Sequence, residues 1–359
     1  GIKSKSGESF KPDSDFALML KDSAPADAVA KAAWTAYEPL REFLASEQPD
    51  TSLTVKDIAA AAVFTTHDPT TRVKKMREAV RKEESPTAEV AKTDDSDSLF
   101  TIETGTLSIP MYQKGTLPFA KIEDGGAIEF QSNGLPKVQK TQDVKYALTV
   151  PNTEAPEGGF PIFIYAHGTD GSEMSFVNEE IAARLAVMGA AVIGLEQVQH
   201  GDRRELNASQ LEDDMYSPEN LFYNFANPRA ARDNNLQSAA DLFQTVRFIE
   251  KRASEEGIFN PERIYFMGHS QGTQGSFIGA TYEPAIKGFV LSGAGGCLMD
   301  TLIGKKKPTD ISVGMKVILM DADVPRHHPV LNLIQTVFDS VDPVNFADAV
   351  YMKDLTELD

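Results

Sequence analysis

The chain has 359 residues, 41 % of them hydrophobic, and a formal net charge of −18. That length and apolar content fit one large globular domain or two ordinary ones and exclude a disordered chain. The acidic balance excludes nucleic acid and anionic lipid headgroups as natural partners. No run of 18 apolar residues occurs, so no transmembrane helix is predicted. A lone cysteine, Cys297, rules out an internal disulfide, and the histidines are scattered apart from His327-His328, so no metal site is predicted. The chain opens on Gly1 and stops at Asp359 in mid-pattern, which reads as a processed or truncated piece of a longer protein.

In chain order, Val29, Ala33, Tyr37, Leu40 and Leu44 recur every three to four residues and predict a helix over 26–45. Ile58 to Thr66 reads as a short buried strand. A basic helix follows over 70–82, with Val73, Met76 and Val80 inward. Residues 83–98 are polar and acidic and read as a surface linker, closing an N-terminal appendage of 1–98. From Leu99 short strand-like runs alternate with Gly, Pro and Asp turns. From Phe160 strands alternate with helices: strand 161–168, helix 175–188 (Phe176, Ile181, Leu185 and Met188 inward), strand 190–196, helix 231–257, strand 263–268, a helix from Gln271, and strand 286–293. This rhythm predicts an α/β fold with a mostly parallel sheet covered by helices on both faces, over 99–359.

Gly268-His269-Ser270-Gln271-Gly272 fits G-x-S-x-G and sits between an apolar strand and a helix, the setting of a nucleophile elbow. There the turn is so tight that Ser270 must adopt a strained backbone and positions 268 and 272 must be glycine. Gly275 is read as letting the helix pass close to the sheet. The bland alternative is a glycine-rich turn with an incidental serine. His167-Gly168-Thr169-Asp170-Gly171 follows the first long strand and has the form of an oxyanion loop. The expected donors are the N–H groups of Thr169 and Gln271, with His167, Gly168 and His269 in support. Gln199-His200-Gly201-Asp202-Arg203 follows the next strand; Asp202 and Arg203 are read as bracing it by pairing. Asn227 to Asn234 opens the long helix and is assigned structure rather than catalysis.

Together HGTDGS, Q-x-x-H-G-D-R, NPRAARDNNLQ, N-P-x-R-I-Y-F-M-G-H-S-Q-G and HHPVLNLIQTVFDSVDPVNFA resemble the α/β-hydrolase superfamily. More narrowly they look like large secreted bacterial lipase/esterases of the virulence-factor lipase type. The resemblance implies an N-terminal β-rich region, ester hydrolysis through an acyl-serine on Ser270, a small-molecule or lipid ester as substrate, no cofactor, and export from the cell. Two functional alternatives stay open: a serine peptidase or amidase on the same fold, and a non-catalytic binding protein.

A serine needs a base, and in this superfamily an acid and then a histidine follow the nucleophile. One in-chain set exists: Lys316–Met320 as a strand, Asp321 or Asp323 at its end, and His327 or His328 after it. Asp323 and His328 stand only five residues apart (328 − 323), too close for groups on different strand-end loops. The favoured expectation places acid and histidine beyond Asp359. Residues 297–347, with Leu302, Ile303, Val313 and Met315, are expected to form a cap over an apolar acyl chain, ordinary core packing being the alternative.

Overall fold

In a computed structural model of the chain, residues 3–46, 54–66, 68–307 and 310–351 are described. Two compact units result, one up to Asp68 and one from Pro69 on.

The described residues of the first unit form helices, where a helix and a short strand at the end of a β-rich and helical region were expected. The stripe predicted as one helix over 26–45 forms two, Ala28–Ala36 and Glu38–Ala45, with Tyr37 capping one and opening the next. Pro39 suits the first turn of the second helix, where no N–H partner is needed. Ile58–Thr66 has no strand, though the run looks apolar. Its consecutive alanines carry too little surface to seat a strand, and Phe64 is 78 % exposed. His67 lies outside the described residues.

In the second unit β1 (Thr87–Asp94), β2 (Phe100–Met111), β5 (Lys140–Pro151), β6 (Phe160–Ala166), β7 (Ala191–Leu195), β8 (Phe259–His269) and β9 (Ile286–Ser292) form one sheet. A small hairpin of β3 (Gln113–Gly115) and β4 (Gly125–Ile128) lies apart. The sheet order is β1-β2-β5-β7-β6-β8-β9. The pairs β7–β6, β6–β8 and β8–β9 are parallel, and β1–β2, β2–β5 and β5–β7 antiparallel. Two reversals leave β2 running with β7, so five of the seven strands share one direction.

Side chains alternate across the sheet as pleating requires. Ile162, Ile164 and Ala166 of β6 enter the large core beneath the helices Thr71–Lys82, Pro228–Glu256 and Gly275–Thr281. Tyr165 enters the smaller core on the other face, with Phe176, Ala182 and Leu185. The helix expected over 175–188 is two short pieces, Ser175–Asn178 and Ile181–Val187, broken at Glu180 in a left-handed conformation. Met188 lies past the second piece and points outward, 76 % exposed, contrary to its predicted place in the core.

The acidic stretch expected as a linker contains β1, an edge strand with an almost wholly exposed face. Its polar alternation conceals a strand because only the backbone is needed to extend the sheet. Together with Thr71–Lys82 it belongs to the main unit rather than to an appendage. Val73, Met76 and Val80 of that helix are buried as predicted. Arg77 and Arg81 both meet the fully buried carboxylate of Glu283, at 3.3 and 3.0 Å. Replacing Glu283 with alanine removes a fully buried carboxylate shared by both guanidinium groups and should lower stability by about 3 kcal/mol. Chemical denaturation of Glu283→Ala checks this; an unchanged midpoint would show that the helix docks by apolar packing alone.

Candidate active site

β6 and β8 are adjacent and parallel, with Ala166 beside Gly268. Both strands therefore end at the same edge, and the loops leaving them meet there. After β8 the chain turns at Ser270, whose φ is +50°. A non-glycine residue in that region is strained and needs surrounding structure to hold it. A single 3-10 turn, Ser270–Thr273, follows, and only then the helix Gly275–Thr281. The Thr273 hydroxyl donates to the Ser270 carbonyl at 2.6 Å and closes the turn.

The glycines are explained by what surrounds them. A Cβ on Gly272 would lie 2.1 Å from the Ala166 carbonyl oxygen, and one on Gly268 3.0 Å from the Gly272 carbonyl oxygen. Gly275 also admits a close approach, but to Ser238 and Asn235 of the long helix, not to the sheet as expected.

The loop after β6 packs directly on the turn. A Cβ on Gly168 would sit 3.0 Å from the His269 ring and 3.2 Å from the Ser270 Cβ. Thr169 donates its hydroxyl to the Gln271 side-chain oxygen at 3.1 Å. The two halves expected from the motifs, 167–171 and 268–272, thus meet at Ser270. The His269 ring edges that junction beside Gly168, and its Nδ1 lies 3.1 Å from the Ser292 hydroxyl on β9.

The loop after β7 completes the wall. Asp202 and Arg203 do not pair with each other as expected. Arg203 reaches Asp241 of the long helix at 2.7 Å, and Asp202 meets Lys145. Asn227 to Asn234 is structural, as read from sequence. Asn227 caps the helix through Ala230 N–H and donates to the carbonyls of Phe119, Lys121 and Gly125. Buried Asn234 donates to the carbonyls of Leu221 and Phe222.

The in-chain acid and base candidates sit in a helical segment rather than at a strand end. Lys316–Met320 is not a strand: 311–319 forms the helix Ile311–Leu319, so no strand end presents Asp321 or Asp323. Its mean hydropathy alone could not separate the two, since the short apolar run suits either. His328 accepts the Val330 N–H at Nδ1, and its Nε2 lies 3.7 Å from Asp321. Asp323 is exposed. Among the described residues no side chain hydrogen-bonds the Ser270 hydroxyl. None of their His, Cys, Asp and Glu side chains form a group of three able to hold a metal.

The segment expected as a cap is helical: Leu298–Gly304, Ile311–Leu319 and Pro329–Phe338. Buried Asp342 clasps its two ends by accepting the N–H groups of Cys297, Leu298 and Val344. Leu302 and Met315 are buried, whereas Val313 is 58 % exposed. Beside Ile311 and Met315 opens a cavity of about 650 Å³ whose other apolar walls are Met215, Leu221, Tyr223 and Phe225. Tyr223 connects it to the serine turn by a hydroxyl hydrogen bond to the Gln274 side chain. This cavity was not visible in the sequence, because its walls come from three distant segments.

No family model matches the sequence. Among solved structures, the chain is similar to an acetyl xylan esterase from Paenibacillus sp. R4, with 17 % identity, TM-score 0.49, and coverage of 80 % of this chain and 77 % of that one. It is also similar to acetyl xylan esterase 1 from Thermoanaerobacterium sp. JW/SL YS485, with 16 % identity, TM-score 0.46, and coverage of 79 % and 75 %. Similarity at this level says nothing of substrate. The sheet order, the strained serine after β8 and the helices on both faces are those of an α/β-hydrolase fold. No helix is long and apolar enough to cross a membrane among the described residues.

Two buried histidines flank the site. Burial pushes His167 down to about 4, and burial with the neighbouring His167 pushes His200 down to about 3. Both start from 6.5, so between that value and the folded ones the unfolded chain binds more protons. Stability from these rings is complete above pH 6.5 and falls as pH drops toward 4. Buried Glu196, whose carboxyl is pushed up, works in the opposite direction. Urea midpoints should therefore decline from pH 7 to pH 5, with up to about 1.4 kcal/mol per pH unit from each ring. A flat profile would mean that the rings are not held neutral.

Proposed function

We propose that the protein is a serine hydrolase acting on carboxylic esters. The observation that carries this reading is Ser270 held at φ +50° after β8, with the Gly168–Thr169 loop packed on it. In this reading a general base takes the Ser270 hydroxyl proton as its oxygen attacks the ester carbonyl carbon, and the carbonyl π pair moves to oxygen. The N–H groups of Gln271 and Thr169 stabilise that oxyanion at the start of a helical turn. Collapse breaks the bond to the leaving oxygen, which takes that proton from the base and departs as the alcohol, leaving an acyl-serine that water then cleaves. Deacylation needs the same base, a histidine that the described residues do not place against Ser270, so His328 and Asp323 are secondary candidates. The lipase-like motifs support an exported bacterial enzyme.

The apolar walls of the 650 Å³ cavity favour an acyl chain longer than acetyl. Gly314 lines it, and a Cβ there meets nothing within 4 Å, so a side chain added at this position starts in open space.

Hydrolysis of p-nitrophenyl acetate and octanoate by wild type, Ser270→Ala and Gly314→Trp tests both parts. Ser270→Ala should abolish turnover of both esters, a loss on the order of a millionfold where the full relay is present. Gly314→Trp should cut octanoate turnover about tenfold and leave acetate nearly unchanged. Equal turnover by wild type and Ser270→Ala would overturn the mechanism. Equal octanoate rates in wild type and Gly314→Trp would overturn the acyl pocket alone.

A further inference from the structure

The loops after β6 and β7 are joined by two histidines in a reciprocal arrangement. His167 belongs to the first loop and its Nε2 takes the N–H of Gln197 in the second, at 3.2 Å. His200 belongs to the second loop and its Nε2 takes the N–H of Asp170 in the first, at 3.2 Å. Each ring anchors itself to its own loop through Nδ1, His167 on the Gly168 carbonyl at 2.8 Å and His200 on the Val198 carbonyl at 3.0 Å. A carbonyl oxygen only accepts, so each Nδ1 must carry the proton and each Nε2 must be bare. The rings meet edge to face, 4.9 Å apart, and both are buried. The Gln197 side chain adds a third link by donating to the His167 carbonyl.

We propose that His200, paired with His167, is a positioning residue that fixes the Gly168–Thr169–Asp170 backbone against Ser270. The proposal depends on the oxyanion role assigned to Thr169 in the proposed function. Asp170 and Gln199 are both left-handed, at φ +62° and +61°. Two such conformations in non-glycine residues cost energy, and the paired hydrogen bonds offset it. The second loop is itself held rigid, because Arg203 binds the Glu196 carbonyl and Asp241 on the long helix. Rigidity therefore passes from that helix through Arg203 to the second loop, then through His200 to the peptide that follows Thr169. No aliphatic side chain can replace the ring, since it would leave the Asp170 N–H without its acceptor. Glutamine can, because its side-chain oxygen reaches the place of Nε2.

The test uses wild type, His200→Leu and His200→Gln. Hydrogen exchange over residues 167–171 should speed up about tenfold in His200→Leu, as a lost hydrogen bond of ~1.4 kcal/mol requires, and return toward wild type in His200→Gln. For ester hydrolysis, kcat should fall roughly a hundredfold in His200→Leu with KM little changed, the signature of a misplaced oxyanion donor. Imidazole 15N spectra of wild type should show two rings protonated at Nδ1, one of them lost in His200→Gln. If His200→Leu does not fold, those spectra still decide. Unchanged exchange in a folded His200→Leu, or an Nε2-protonated His200, overturns the proposal. A wild type without esterase activity overturns the proposed function instead, while exchange and 15N shifts still report on the histidine pair.

Discussion

The site depends on one close approach. Where the chain turns after β8, Gly272 lies so near the end of β6 that any Cβ would overlap the Ala166 carbonyl. That contact brings the loop of Gly168 onto Ser270 and sends the serine into its left-handed conformation. A helical turn then starts at once at Ser270–Thr273, and the proposed oxyanion role uses the N–H groups at its start.

The long helix Pro228–Glu256 sets this geometry from behind. Its first half is buried yet polar, with Asp233, Asn234, Asn235, Gln237, Ser238 and Asp241 all covered. Such groups are costly unless each finds a partner. Here many of the partners are backbone carbonyls and N–H groups of neighbouring elements: Ile128 for Asp233, Leu221 and Phe222 for Asn234, Tyr112 and Pro110 for Gln237. Asp241 holds Arg203 and, through it, the loop of His200. The helix therefore acts as a rigid peg to which neighbouring elements and, through Arg203, the loop of His200 are hydrogen-bonded.

Much of the fold was legible because the strands buried on both faces are largely apolar. Pro161–Gly168, Ala190–Glu196 and Arg263–Gly268 stand out as strands, and the glycines around Ser270 declare the turn that follows the last of them. The failures share a physical cause. Thr87–Asp94 is an edge strand held by backbone bonds, so its side chains carry no apolar signal. Lys316–Met320 packs as a helix in a peripheral layer, where a short apolar run fits either element. Asp202 and Arg203 are neighbours in sequence, but their partners, Lys145 and Asp241, come from other elements and could not be read locally. The same holds for His200, which the sequence showed only as part of a polar loop.

The central claim is that Ser270 is an activated nucleophile, and the most direct measurement is intact mass after exposure to a fluorophosphonate, with Ser270→Ala alongside. One adduct on wild type, mapped to Ser270 and absent from the variant, is the result expected from the strained turn and its donors. A folded wild type that stays unlabelled would contradict it.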